Sequence, residues 1–163
     1  MHSHTDCLIL AAGQSKRFYP YENKLLFEVL GKPVIVHVIN FLKKNFSSFY
    51  LVSKNEVIEK EVKKFFPELD IKTIIQETPL GTAHAVLQAE NKIHNDFVVV
   101  AGDTIFDPNL VKQFLEAVKK EYDKYDKFLV SKRVQNSKDY GLIIEENNIV
   151  NGIIEKPSKE IEG

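Results

Sequence analysis

The chain of 163 residues has one cysteine and almost no excess of charge of either sign. A lone thiol closes no internal disulfide, and Cys7 sits in the apolar run "DCLIL", where it behaves as a small buried hydrophobe. A reducing cytoplasm is the compartment this implies. With 22 Lys and Arg against 23 Asp and Glu, bulk electrostatics suggest neither a nucleic-acid nor a membrane partner. No apolar run approaches the ~20 residues that span a bilayer. The opening "MHSHTDCLIL" also lacks the charged start and apolar core of an export leader, so a soluble cytoplasmic protein is expected. Repeats, low-complexity tracts and linkers are missing too. The length suits one domain with a sizeable core.

What is present is an alternation of short apolar runs with longer amphipathic ones, the pattern of an α/β sheet covered by helices. Strands are expected at 6–11, 49–53, 71–76 and 97–101. A first helix is expected at 33–44, with Pro33 at the first helical position and Val34, Val38, Phe41 and Leu42 on one face. A second, at 55–66, is announced by Ser53 and Glu56 at capping-box spacing and carries Ile58, Val62, Phe65 and Phe66. Two more are expected at 82–93 and at 108–121, the latter with Asp107 as N-cap. Past Tyr125, "KFLVSKRV", "YGLIIEE" and "NIVNGIIEK" are strand-like without intervening helices, so antiparallel strands are added to a mostly parallel sheet.

Such sheets bind ligands beyond the carboxyl ends of their strands, which here means residues 12–17, 54–55, 77–82 and 102–104. The first of these loops, "AAGQSKR", has neither the Gly-Lys-Ser/Thr ending of a P-loop nor the further glycines of a dinucleotide fingerprint. No acidic residue ends the second strand at "LVSKN", which argues against an NAD-dependent enzyme. Small residues at Ala11, Ala12 and Gly13 nevertheless let the backbone approach a ligand, and the N–H groups of such a turn form an anion-binding concavity. Arg17 is suited to clamp a phosphate bidentately and Lys24 to add a point charge, with Lys16 a spectator.

At these residues the sequence resembles the sugar-phosphate nucleotidylyltransferases. "LAAGQSKRFYPYENKLLFEVLGKPVIVHVI" is similar to their N-terminal signature, with Gly13, Arg17, Lys24 eleven residues after the glycine, and Gly31-Lys32-Pro33 in place. "QETPLGTAHAV" resembles the base-recognition segment, "VVVAGDTIF" the metal-binding Gly-Asp strand end, and "YGLIIEENNIVNGIIEKP" the sugar-binding segments. The resemblance runs from about residue 6 to 157. It implies a Rossmann-like nucleotidyltransferase fold forming a single domain over 1–163, with the family's C-terminal part, including a further sugar contact and a second metal ligand, lying outside this chain.

The implied reaction is attack of a sugar 1-phosphate on the α-phosphorus of a pyrimidine nucleoside triphosphate, releasing pyrophosphate. The attacking phosphate has a second pKa of about 6 and needs no general base, which suits a sequence without a His or Ser nucleophile arrangement. By the resemblance, Arg17 meets the β,γ-phosphates and Lys24 the α-phosphate. Leu10, Ala11, Ala12, Gly13, Gln76, Gly81 and Thr82 hold the nucleotide, with Thr82 also expected to cap the next helix. Gly141, Glu155 and Lys156 hold the sugar phosphate, and Asp103 holds Mg²⁺. The Gln76 amide both donates and accepts, as a pyrimidine edge requires, so UTP is favoured with CTP and dTTP left open. Phosphocholine or an inositol phosphate is an alternative acceptor, and a silent nucleotide-binding module is the reading from another class. His37 and His84 are expected to pack or face solvent, and His2 and His4 to lie in a loose terminus.

Overall fold

The computed structural model describes residues 5–13, 18, 23–134 and 140–155. The chain divides into two compact units, Met1–Tyr122 and Asp123–Gly163.

In the first unit the apolar run Asp6–Leu10 forms strand β1. It lies between β4 (Ser48–Ser53) and β6 (Phe97–Ala101), with β5 (Asp70–Ile75) beyond β4, in a four-stranded parallel sheet of order β5-β4-β1-β6. Leu8 stands opposite Tyr50 on one side and Val99 on the other. Strand periodicity of two sends Cys7 and Ile9 to one face and Leu8 to the other, and all three are fully buried. An unbroken apolar strand is what a parallel sheet covered on both faces requires.

One face carries helices α1 (Val34–Leu42) and α2 (Val57–Phe65), whose Ile35, Val38, Leu42, Ile58 and Val62 join Cys7 and Ile9 in the larger core. The other is covered by α3 (Thr82–Leu87), which places Ala85 against Leu8 and Val52. Helix α4 (Pro108–Glu121) follows β6, and Asp107 caps it as expected, accepting from the Asn109 amide at 2.8 Å.

Several local expectations are corrected. Pro33 precedes α1 rather than opening it, because Lys32–Pro33 is a short strand, β3, paired antiparallel with β2 (Glu28–Val29). Leu30 and Gly31 turn this hairpin at φ of 51° and 73°, the left-handed pair of a tight hairpin turn. His37 Nε2 lies 2.7 Å from the Val29 carbonyl and pins α1 to the hairpin, a packing role. The buried stripe of α1 includes Ile35, Val36 and Ile39 in place of Val34 and Phe41.

The expected capping box does not form. Ser53 stays in β4, and Asn55 Oδ1 accepts from the Val57 amide at 3.1 Å instead. Phe65 is exposed while Phe66, just past the helix, is buried. Helix α3 is shorter than expected because three-residue turns from Val86, Leu87 and Ala89 replace its continuation.

In the second unit, residues 127–134 join no strand ladder among the described residues, against expectation. Strands β7 (Gly141–Glu146) and β8 (Ile149–Glu155) form an antiparallel pair that hydrogen-bonds as a sheet of its own. Asn147 and Asn148 reverse the chain at φ of 53° and 62°, a conformation asparagine tolerates better than most residues. Among the described residues no helix is long and apolar enough to cross a membrane.

Candidate active site

The ends of β1, β5 and β6 open on one cavity of about 410 Å³ in the first unit. Leu10, Ala11, Ala12 and Gly13 line it from β1, Gln76 from β5, Gly81 and Thr82 from the start of α3, Asp103 from the turn after β6, and Lys24 from a 3-10 turn at Lys24–Leu26. The loop at Lys54 and Asn55 does not reach it. That loop lines a neighbouring recess of about 260 Å³ on the other side of Ala11 to Gly13. Arg17 and Lys156 lie outside the described residues. Gly141 and Glu155 belong to the second unit, where they face each other across β7 and β8; a side chain on Gly141 would meet the Glu155 carboxylate at 3.0 Å.

The backbone around the cavity is tightly specified. The Ala11 amide donates to the Val52 carbonyl at 2.8 Å, and the Gly102 amide to the Leu10 carbonyl at 3.0 Å. A Cβ on Gly102 would lie 3.1 Å from that carbonyl oxygen and 3.0 Å from Leu25 Cδ1, so a glycine is what lets the strand ends and the Leu25 side chain approach. Leu25 is buried, and Asn23 caps its turn by accepting from the Leu25 amide at 2.9 Å. With Leu25 anchored, its neighbour Lys24 pairs with Asp103 Oδ2. Both side chains are about two-fifths exposed, at 40% and 42%, a setting in which an ion pair contributes about 0–1 kcal/mol and is easily exchanged for a ligand.

Gly13 and Gly81 serve different ends. A Cβ on Gly13 would meet nothing within 4 Å among the described residues. Gly81 sits at φ of 105°, in the region glycine favours, and is itself the N-cap of α3. Thr82 is the first helical residue and gives no side-chain cap, contrary to the expectation for it.

Gln76 is only 2% exposed, although its side chain is polar. Its main-chain amide donates to the Ser53 carbonyl at 2.9 Å, and one end of its side-chain amide lies 2.7 Å from His84 Nδ1. The other ring nitrogen lies 3.3 Å from Gln88 Nε2. The other end of this buried amide has no hydrogen-bond partner among the described residues, and an unmet buried polar group costs about 1–3 kcal/mol. His84 was not assigned to the site from sequence. The signal for it is Gln88 four residues on, which a helix places on the same face.

Cys7 is excluded from the chemistry. Burial, with a smaller push from Asp6, raises the Cys7 thiol to about 12, so it stays protonated and inert. No cluster of three His, Cys, Asp or Glu side chains suited to a metal occurs among the described residues. A single half-exposed carboxylate, Asp103, does suit a cation such as Mg²⁺, which keeps several waters and takes substrate phosphates as ligands.

A parallel sheet with helices on both faces, and with a glycine turn, a cation and a carboxylate at its strand ends, defines an α/β ligand-binding protein of the Rossmann-like class. The chain belongs to the nucleotidyl transferase family, whose model matches residues 6–162. It is 35% identical over 159 residues to the bifunctional protein GlmU of Methanococcus vannielii, covering 95% of this chain and 36% of that protein. The GlmU of Fervidobacterium nodosum is 36% identical over 159 residues, with 34% of its length covered. The chain thus spans about a third of the length of these curated relatives. Two solved structures share the fold. One is a Bacillus anthracis protein assigned as a glucose-1-phosphate thymidylyltransferase, in complex with sucrose, at a TM-score of 0.74 and 24% identity over 95% of this chain and 65% of its own. The other is a CMP:2-keto-3-deoxy-manno-octonic acid synthetase in complex with CTP, at 0.61 and 18% over 74% of this chain and 49% of its own.

Proposed function

We propose that this chain supplies the nucleotide-binding part of an enzyme that transfers UMP from UTP to a sugar 1-phosphate. An oxygen of the sugar phosphate forms a bond to the α-phosphorus, the bond from that phosphorus to the bridging oxygen of the β-phosphate breaks, and pyrophosphate leaves with the electron pair. No proton needs to be moved from the nucleophile, because a phosphate monoester is largely ionised at neutral pH. The work left to the protein is to hold two anions in line and to offset the charge that accumulates on the leaving group.

The observation that carries this reading is the meeting, on one cavity, of Gly13 from β1, Lys24, Asp103 and Gln76. In this reading the turn at Ala12 and Gly13 offers backbone amides to the triphosphate, with Lys24 and, by the resemblance, Arg17 adding positive charge. Gln76 and Gly81 receive the base. Asp103 holds Mg²⁺, which when bound supplies charge neutralisation on the phosphate oxygens. Ligand binding then exchanges partners within the Lys24–Asp103 pair: the ammonium turns to phosphate and the carboxylate to the cation. Gly141, Glu155 and Lys156 are assigned to the sugar phosphate. The relatives named GlmU support the nucleotidyl-transfer chemistry by family membership.

The test is pyrophosphate release from UTP and Mg²⁺ with a panel of sugar 1-phosphates, phosphocholine and an inositol phosphate. Release with a sugar 1-phosphate supports the proposal. Release only with one of the other acceptors would reassign the substrate, and nucleotide binding without release from any acceptor would replace the enzyme with a binding module.

A further inference from the structure

Gln76 and His84 make a contact whose chemistry is more restrictive than its length suggests. The Gln88 Nε2 group lies 3.3 Å from the His84 carbonyl oxygen and 3.3 Å from His84 Nε2. An amide NH₂ can only donate, and a carbonyl oxygen can only accept, so the Gln88 NH₂ must be the group facing both atoms. His84 Nε2 is then a lone-pair acceptor. A neutral imidazole carries one proton, which falls on Nδ1. The structure places the Gln76 amide nitrogen 2.7 Å from that Nδ1, where two N–H groups would face each other, so the network requires the Gln76 amide turned by half a rotation, with its carbonyl oxygen accepting from Nδ1–H. The Gln76 NH₂ is then the end without a hydrogen-bond partner among the described residues, on a side chain that is 2% exposed and lines the cavity.

We infer that His84 is a positioning residue for base specificity: by holding the Gln76 carbonyl oxygen, it presents the Gln76 NH₂ to the cavity, so that the site accepts a pyrimidine with a 4-oxo group and rejects one with a 4-amino group. This deepens the proposed function and rests on Gln76 receiving the base. Uracil and thymine carry a carbonyl oxygen at ring position 4, which accepts from the NH₂. Cytosine carries an amino group there, and two donors face each other. Gln76 by itself would be indifferent, since rotating the amide by half a turn exchanges donor and acceptor. The histidine removes that freedom. Gln88, four residues on along the same helical face, sets the histidine's tautomer in turn. The chain Gln88, His84, Gln76 thus converts an ambivalent amide into a donor.

Two readouts test this. The first needs no ligand: long-range ¹⁵N–¹H correlation spectra of the protein assign the His84 ring, with His84→Asn identifying its signals. A proton on Nδ1 supports the inference, and a proton on Nε2 overturns it. The second compares the affinities of Mg²⁺-UTP and Mg²⁺-CTP by calorimetry. The parent should prefer UTP. His84→Phe, which keeps the ring volume without the donor, should lower the preference about tenfold, the worth of one well-placed hydrogen bond. His84→Asn, whose side-chain NH₂ occupies the place of Nδ1, should retain it. A parent preferring CTP, or a His84→Phe protein with unchanged preference, overturns the inference while leaving nucleotide transfer standing. A parent that binds neither nucleotide overturns the proposed function instead, and the tautomer measurement still decides the orientation of Gln76. Should His84→Phe fail to fold, that measurement and the His84→Asn ratio carry the decision.

Discussion

Lys24 and Asp103, 79 residues apart in the chain, form an ion pair at the cavity formed by the ends of β1, β5 and β6. The first is carried on a short turn anchored by Leu25, and the second on the turn after β6. Their partial exposure makes the pair a weak contributor to stability. Their position makes each a strong candidate for holding triphosphate or cation. Lys24→Met and Asp103→Asn should therefore each lower kcat by about 100-fold or more, while thermal unfolding stays within about 1 kcal/mol of the parent. Pyrophosphate-release kinetics alongside calorimetric melting checks both halves. A large loss of stability with little loss of turnover would make the pair structural.

Gly13 and Gly102 should separate binding from folding. A methyl group on Gly102 meets the Leu10 carbonyl and Leu25, so Gly102→Ala should destabilise the chain by about 1–3 kcal/mol. On Gly13 a methyl meets no atom of the described residues within 4 Å. Gly13→Ala should thus leave denaturant unfolding within about 0.5 kcal/mol of the parent and weaken Mg²⁺-UTP binding, because the added carbon enters the space assigned to the phosphates.

The sheet was legible in the sequence because continuous apolar runs such as "FVVVA" admit few other readings. So was the capping of α4, where Asp107 precedes Pro108 and the bond it makes is local. Features that depend on distant partners were not. Leu30 takes a positive φ that its side chain disfavours, and the β2–β3 hairpin it turns had no readable signal. Ser53 and Glu56 had the spacing of a capping box, yet pairing of Ser53 with Ile75 keeps it in the sheet. The segment 127–134 alternates like a strand but has no ladder partner among the described residues. In the site, Ala12, Gly13, Gly81, Thr82 and Asp103 could be named from the strand ends, whereas Leu25, Ala85 and Ala101, which also line the cavity, could not. The link from Gln76 to His84 could not, since it depends on how the chain turns at Gly81 to bring α3 back over the end of β5.

Cys7 should report on global unfolding. Its thiol is raised to about 12, first by burial and then by Asp6, so the folded state keeps a proton that the unfolded state loses at about 9. Stability from this residue is complete below pH 9 and is lost as pH rises towards 12. Urea unfolding of the parent should weaken over that window, and Cys7→Ala should flatten the decline from its own lower starting stability. Thiol labelling at neutral pH should proceed only at the rate of unfolding.

Glu59 should act at the opposite end of the scale. Burial alone would raise its carboxyl, but hydrogen bonds from Lys63 and from Thr73 Oγ1 at 2.6 Å outweigh this and hold it below the ordinary value of 4.5. A depressed carboxylate contributes stability above its unfolded pKa and loses it as pH falls through the folded one. Thr73→Val removes a bond joining α2 to β5, so its penalty in urea unfolding should be largest at pH 7 and shrink as the pH falls below 4.5 and the carboxyl takes up its proton.

The central claim is that a nucleoside triphosphate occupies the cavity between Gly13, Gly81 and Asp103. Titrating the ¹⁵N-labelled protein with Mg²⁺-UTP and following its backbone amides tests this most directly. Saturable shifts should appear at Ala12, Gly13, Gly81 and Asp103. Unmoved amides at those four positions, or shifts confined to Lys54 and Asn55 in the neighbouring recess, would contradict it.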